Sequence, residues 1–155
     1  MTADWNYAPT QDRLRPGQSL DTEFFWSGCN EHRLYIQRCA SCGMLRHPPG
    51  PSCPACHSFD SDHVEATGRG TVYSYAVHHY PPVQGFSGPA VIGLIELDEG
   101  VRIVSNIVGR DPADLNVGDC VEVFFLDQAE GWSLPQFAVV HSDGAEQIRR
   151  EGALS

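Results

Sequence analysis

The sequence contains no lysine: its ten basic residues are all arginine and face twenty acids, giving a formal net charge of −10. Any anion held by a permanently charged side chain must therefore meet a planar guanidinium, which fits phosphate in a two-pronged fashion. Long apolar runs are also missing. None approaches the about 20 residues that a bilayer-spanning helix needs, and the opening MTADWNYAPTQDRLRPGQSL lacks the charged-then-apolar order of a secretory leader. The expectation is a cytoplasmic chain without membrane contact. Charged residues are scarce at 19% against 41% hydrophobic, the balance of a folded chain and not of a disordered tail. Catalytic groupings are absent too, with no paired carboxylates, no nucleophile beside a base and no open metal site, so no catalytic residue is assigned.

What is present begins with an uneven charge. From Thr71 to Ser155 twelve acids face Arg102, Arg110, Arg149 and Arg150, a balance of −8, whereas the first 70 residues hold eight acids and six arginines. A single-strand nucleic-acid site needs a basic groove with interleaved aromatics, so the acidic half argues against that partner. Arg33, Arg38 and Arg46 gather in the first half, where an anion site is expected.

They surround CASCGMLRHPPGPSCPAC, in which Cys39, Cys42, Cys53 and Cys56 form two Cys-x-x-Cys pairs ten residues apart. Six cysteines in a chain without a leader favour metal over a disulfide framework. Each pair can form a knuckle whose two sulfurs point at one ion, and two knuckles complete a closed tetrahedral zinc site. Gly43 stands where a positive φ is often required, and Pro54 fixes φ inside the second knuckle. Iron bound as in rubredoxin satisfies the same ligands. A thioredoxin-like redox pair does not, because it needs one pair at a strand-to-helix turn. Four protein ligands leave no position for substrate, so the reading is one structural Zn²⁺ per chain, with Arg38 and Arg46 near enough in sequence to offset its thiolate charge. Cys29 and Cys120 are expected to be small buried fillers.

The remaining pattern is mainly β. Residues 1–18 read as an extended arm and 143–155 as a tail. Residues 19–66 should hold a short helix and a rubredoxin-like zinc ribbon, the helix starting at Ser19, ending at Gly28 and carrying Leu20, Phe24 and Phe25 at near-helical spacing. Phe24, Phe25 and Trp26 must bury aromatic surface, on their own ribbon or on a partner subunit. Residues 67–142 contain five alternating runs, GRGTVYSYAVHHY, AVIGLIELDEG, VRIVSNIVG, CVEVFFLD and LPQFAVVH. Five antiparallel strands of this length fit an OB-fold barrel. His78 and Tyr80 open a loop, YPPVQGFSGPA, that borders the ligand face of such a barrel.

Taken together, the FFW helix, QRCASCGMLRHPP, CPAC, GRGTVYSYAV, ELDEGVRIVSNIVG, GDCVEVFF and LPQF resemble the zinc-ribbon and OB-fold proteins known as domain of unknown function 35. The resemblance covers residues 19–141 and is most specific from Gln37 through Tyr75. Members are small partners of thiolase-fold enzymes, or are fused to hydratases, in acyl-CoA metabolism that includes steroid side-chain degradation. The resemblance implies an accessory subunit that binds a thiolase-like aldolase, forms a heterotetramer with it and helps to hold an acyl-CoA thioester. Arg33, Arg38, Arg46 and Arg69 are the candidates for the coenzyme A phosphates, with His78 and Tyr80 lining the substrate. The alternatives are a subunit of a biosynthetic thiolase or synthase assembly and a single-strand nucleic-acid module.

Overall fold

The computed structural model describes residues 13–86 and 88–140. Residues 1–12 of the expected arm and the whole of the expected tail lie outside these. Helix α1 (Glu23–Asn30) is followed by β1 (Tyr35–Cys39), β2 (Leu45–Arg46) and β3 (Ser61–Glu65), which form an antiparallel sheet in the order β2-β1-β3. Strands β4 (Arg69–His78), β5 (Ala90–Leu97), β6 (Arg102–Val108), β7 (Cys120–Asp127) and β8 (Ser133–Val139) form a second sheet that closes on itself in the order β4-β5-β6-β8-β7. The fold is thus mainly β, a ribbon followed by a five-stranded barrel.

Helix α1 departs from expectation at both ends. Ser19 opens a turn instead of capping the helix: its N–H donates to Thr22 Oγ1 at 2.9 Å, and its carbonyl accepts from Thr22 N–H at 3.0 Å. Leu20 is consequently 93% exposed. The helix runs past Gly28 to Asn30, and Arg33 N–H then returns to Gly28 O at 2.8 Å with His32 in the left-handed region at φ +59°. Gly28 serves packing, because a Cβ there would collide with the Tyr35 ring.

One pairing corrects the all-antiparallel expectation: β6 and β8 run parallel, with Ile107 opposite Phe137 and Val108 opposite Ala138. The β7–β8 hairpin delivers β8 to the open edge of β6 in that direction. The other seam joins the start of β4 to β7, from Arg69↔Glu122 to Thr71↔Cys120, and a register shift between Val72 and Ser74 frees β4 to serve both neighbours. Cys120 is exposed, also against expectation, because alternation along β7 sends Val121 inward. Cys29 is a fully buried filler as expected, and burial pushes its thiol up to about 12.

A single apolar cluster joins the two sheets. Val72, Ile95, Ile103, Val121 and Phe137 fill the barrel and continue into Phe25, Cys29, Leu34 and Ile36 of the helix and ribbon. Large side chains of this kind each contribute about 1.5–3 kcal/mol on full burial, so the helix is held by both sheets.

Candidate metal centre and interdomain cleft

The metal centre arises from two turns with the same backbone plan. Cys39 N–H donates to Met44 O and Gly43 N–H returns to Cys39 O, both at 2.9 Å; Cys53 N–H donates to Ser58 O and His57 N–H returns to Cys53 O, again both at 2.9 Å. Gly43 and His57 occupy the equivalent left-handed position at φ +76° and +61°. The turns face each other, placing Cys39 Sγ 3.5 Å from Cys56 Sγ and Cys42 Sγ 3.6 Å from Cys53 Sγ. All four sulfurs lie within 4.8 Å of one another. Four thiolates at about 2.3 Å from a zinc ion define a tetrahedron with edges of about 3.8 Å, so these residues fit the ion. The Cys42 N–H, with that of Ser41, pulls the Cys39 thiol down to about 6, and the Cys56 and Ala55 N–H groups lower Cys53 in the same way. Donors aimed at sulfur favour the thiolate that a metal requires.

The expected anion ligands have partners of their own. Arg38 forks onto Asp62 at 2.8 and 2.6 Å across the β1–β3 pair, which holds the Asp62 carboxyl below its usual range. Arg33 reaches Tyr35 Oη at 3.4 Å and Glu65 at 4.0 Å, and Arg69 lies 3.6 Å from Asp98. Arg46 is buried. Its Nε donates to Gln37 Oε1 at 2.8 Å and its Nη2 to Gly50 O at 3.3 Å. Gln37 also takes the Gly50 N–H at 2.9 Å and donates to Gly50 O and Ser61 Oγ, both at 3.1 Å. This clamp fixes the loop His47-Pro48-Pro49 against the helix.

Phe25 is 4% exposed and packs in the chain's own core. Phe24 stacks on His63 with centroids 5.1 Å apart, and Trp26 meets Phe25 edge-on at 4.9 Å; both are half-buried. His78 Nε2 lies 2.7 Å from Pro81 O, while Tyr80 is 84% exposed.

The structure adds a cleft of about 530 Å³ between α1, the His47–Pro49 loop and the barrel, to which the loop after β4 contributes Val83 and Phe86, not His78 or Tyr80. Its barrel side includes Ile92, Ser105 and Gln136. Ser105 Oγ donates to Pro135 O at 2.8 Å, and Gln136 Nε2 donates to the same carbonyl at 2.9 Å. Gln136 is 4% exposed and its Oε1 has no hydrogen-bond partner; the same holds for His47 Nδ1, whose ring burial drives down to about 4 and so keeps neutral. Arg13 stands beside the cleft, its guanidinium 3.4 Å over the Phe86 ring and its Nη1 3.4 Å from Asn106 Oδ1. Sequence reasoning missed this site, because glutamines in strands carry no motif; the only signals were the HPP and LPQF segments.

A second junction joins helix to barrel. His32 Nε2 lies 2.7 Å from Asp127 Oδ1, and Ser133 Oγ donates to the same oxygen at 2.6 Å. Serine and histidine share the carboxylate without bonding to each other, which is the wiring of a latch and not of a nucleophile with its base.

Residues 26–62 match the family described as ChsH2, rubredoxin-like zinc ribbon domain, and residues 63–126 match ChsH2, C-terminal OB-fold domain. The chain belongs to the ChsH2 family. It is 47% identical over 129 residues to a probable enoyl-CoA hydratase alpha subunit of Thermomonospora curvata, covering 83% of this chain and 40% of that protein. It is 46% identical over 121 residues to the 3-oxo-4,17-pregnadiene-20-carboxyl-CoA hydratase alpha subunit of Mycobacterium tuberculosis, covering 78% of this chain and 38% of that protein. It therefore spans about two fifths of these two relatives. Over a shorter stretch it resembles the benzoylsuccinyl-CoA thiolase subunit BbsA of Thauera aromatica, at 31% identity across 56% of this chain and 58% of that one. Among solved structures, a chain of the Ltp2-ChsH2(DUF35) aldolase matches with a TM-score of 0.77 and 47% identity, over 81% of this chain and 98% of that chain. No helix among the described residues is long and apolar enough to cross a membrane.

Proposed function

We propose that this chain is the non-catalytic accessory subunit of a thiolase-fold enzyme and helps to position an acyl-CoA thioester for aldol cleavage of a steroid-type side chain. The observation that carries the reading is the likeness to a chain of the Ltp2-ChsH2(DUF35) aldolase over 98% of that chain. The pregnadiene-carboxyl-CoA hydratase subunit supports a steroid-type thioester, and BbsA supports a thiolase-like partner. One Zn²⁺ per chain, held by Cys39, Cys42, Cys53 and Cys56, closes the ribbon and takes no part in bond making. Phe24 and Trp26 on α1, with the exposed Leu20 before it, offer the partner an apolar face. Arg33, Arg38 and Arg69 are half-exposed and can exchange a carboxylate for a coenzyme A phosphate, whereas Arg46 acts by holding the ribbon loop. Thiolase-fold enzymes are usually dimers, so two copies on one dimer give a closed heterotetramer.

The test is to assay the co-expressed pair, the partner alone and this chain alone on a β-hydroxyacyl-CoA, with light scattering and metal analysis of the complex. Turnover by the pair alone, a two-plus-two mass and one zinc per chain are expected. Full activity from the partner alone, or turnover by this chain alone, would overturn the accessory role.

A further inference from the structure

The interdomain cleft has the composition of a ligand site. Its volume of about 530 Å³ falls within the range of about 300–1,000 Å³ typical of clefts that take drug-sized molecules. Its walls are flat and rigid: Trp26 on the helix side, Pro48 and Pro49 on the ribbon loop, and Pro135 on the barrel. Ile92 and Val104, which also line it, are 40% and 65% exposed, so the cleft opens along the outer face of β5 and β6.

Polar groups select among apolar occupants. The orientation of the Gln136 amide is fixed by its Nε2–Pro135 O bond, because the reverse assignment would set two oxygens against each other. Its Oε1 is thus a buried acceptor without a donor, on a side chain 4% exposed. His47 contributes a second unpartnered atom, Nδ1, on a neutral ring. A buried carbonyl oxygen left without a donor is penalised, and a ligand that brings one relieves the penalty. None of the lining side chains carries a charge, and the nearest cation, Arg13, is already engaged with Phe86 and Asn106. The occupant that fits is uncharged, flat, ring-bearing and equipped with a hydroxyl.

We propose that the cleft binds the alicyclic acyl part of the thioester, with Gln136 Oε1 accepting a hydrogen bond from a hydroxyl on it, which makes Gln136 a specificity-determining residue of this chain. The inference rests on the accessory reading above for the identity of the ligand, and on the cleft alone for its shape and polarity. A site built to accept from an O–H discriminates against the corresponding ketone, because the acceptor is then left unpaired.

The experiment is calorimetric titration of the zinc-loaded full chain with testosterone and with androstenedione, two steroids that differ by a hydroxyl or a ketone at one carbon, and with decanol as a flexible control. Saturable binding of the alcohol, about fivefold or more tighter than the ketone, and weak binding of decanol are expected. Gln136→Met should bring the two steroids to equal affinity while circular dichroism stays unchanged. Val104→Glu, at the exposed rim, should weaken both, and it guards against the buried substitution failing to fold. No saturable steroid binding, or an alcohol-to-ketone ratio that Gln136→Met leaves intact, would overturn the inference. If Val104→Glu abolishes capture of a thiolase-fold partner while steroid never binds, the cleft is a protein-docking groove and the inference falls. Partner capture without steroid binding leaves the accessory reading standing, and steroid binding without partner capture leaves only the cleft.

Discussion

Gly43 and His57 each follow the second cysteine of a knuckle in the left-handed region, yet only one is glycine. Nothing lies within 4 Å of a Cβ built at Gly43, so Gly43→Ala meets a conformational cost without a clash. A residue with a Cβ costs about 1–2 kcal/mol there, and denaturant unfolding of the zinc form should show a loss of that size. A smaller loss would mean that the turn relaxes, as the turn at His57 already tolerates a side chain. The positive φ at Gly43 was legible because the Cys-x-x-Cys-Gly pattern has a backbone reason. The arginines were less so. Their crowding around the cysteines was visible, but the pairing of Arg38 with Asp62 depends on the β1–β3 register, and Arg46 is buried by a clamp centred on Gln37.

At the scale of elements, the latch between α1 and the β7–β8 hairpin carries a pH dependence. The Ser133 hydroxyl and then the His32 ring hold the Asp127 carboxyl below its usual range. A carboxyl lowered in the folded state contributes stability that is present above its unfolded pKa and lost as pH falls through the folded value. Melting temperature should therefore drop on acidification below the usual carboxylate range, and Asp127→Asn should flatten that limb while lowering stability at neutral pH. An acid limb of unchanged steepness in the variant would place the dependence elsewhere. The five barrel strands were legible through their alternation of apolar and polar residues. Strand β3 was not: in SDHVE only Val64 is apolar, and the segment is a strand because β1 pairs with it over five residues. The start of α1 was misread because Leu20 keeps helical spacing while the Ser19–Thr22 turn leaves it in solvent.

The whole molecule is tied together by a core that crosses from ribbon to barrel. Phe25, Leu34 and Ile36 of the helix and ribbon share one cluster with Ile95 and Phe137 of the barrel. Metal-linked folding energy is then available to both halves. Chelation of the zinc form should lower the melting temperature of the barrel, read from near-ultraviolet circular dichroism, together with that of the ribbon, in one transition. Two separate transitions, with the later one unmoved by chelator, would show that the halves are independent. The architecture was legible from the knuckles and the strand count. The cleft was not, because its walls come from α1, a ribbon loop, a barrel loop and three strands that no local pattern links.

The parallel seam between β6 and β8 sets an order of biosynthesis. Chains emerge from the ribosome at about 5–20 residues per second, and the four knuckle cysteines are available long before residue 139. The ribbon can capture its ion early, but β6 keeps a bare edge, and β7 lacks one neighbour, until β8 has cleared the exit tunnel. Such edges recruit strands from other chains. A ribosome stalled short of β8 would release a metal-loaded nascent chain that is sticky along two edges, and crowding on polysomes would decide its fate.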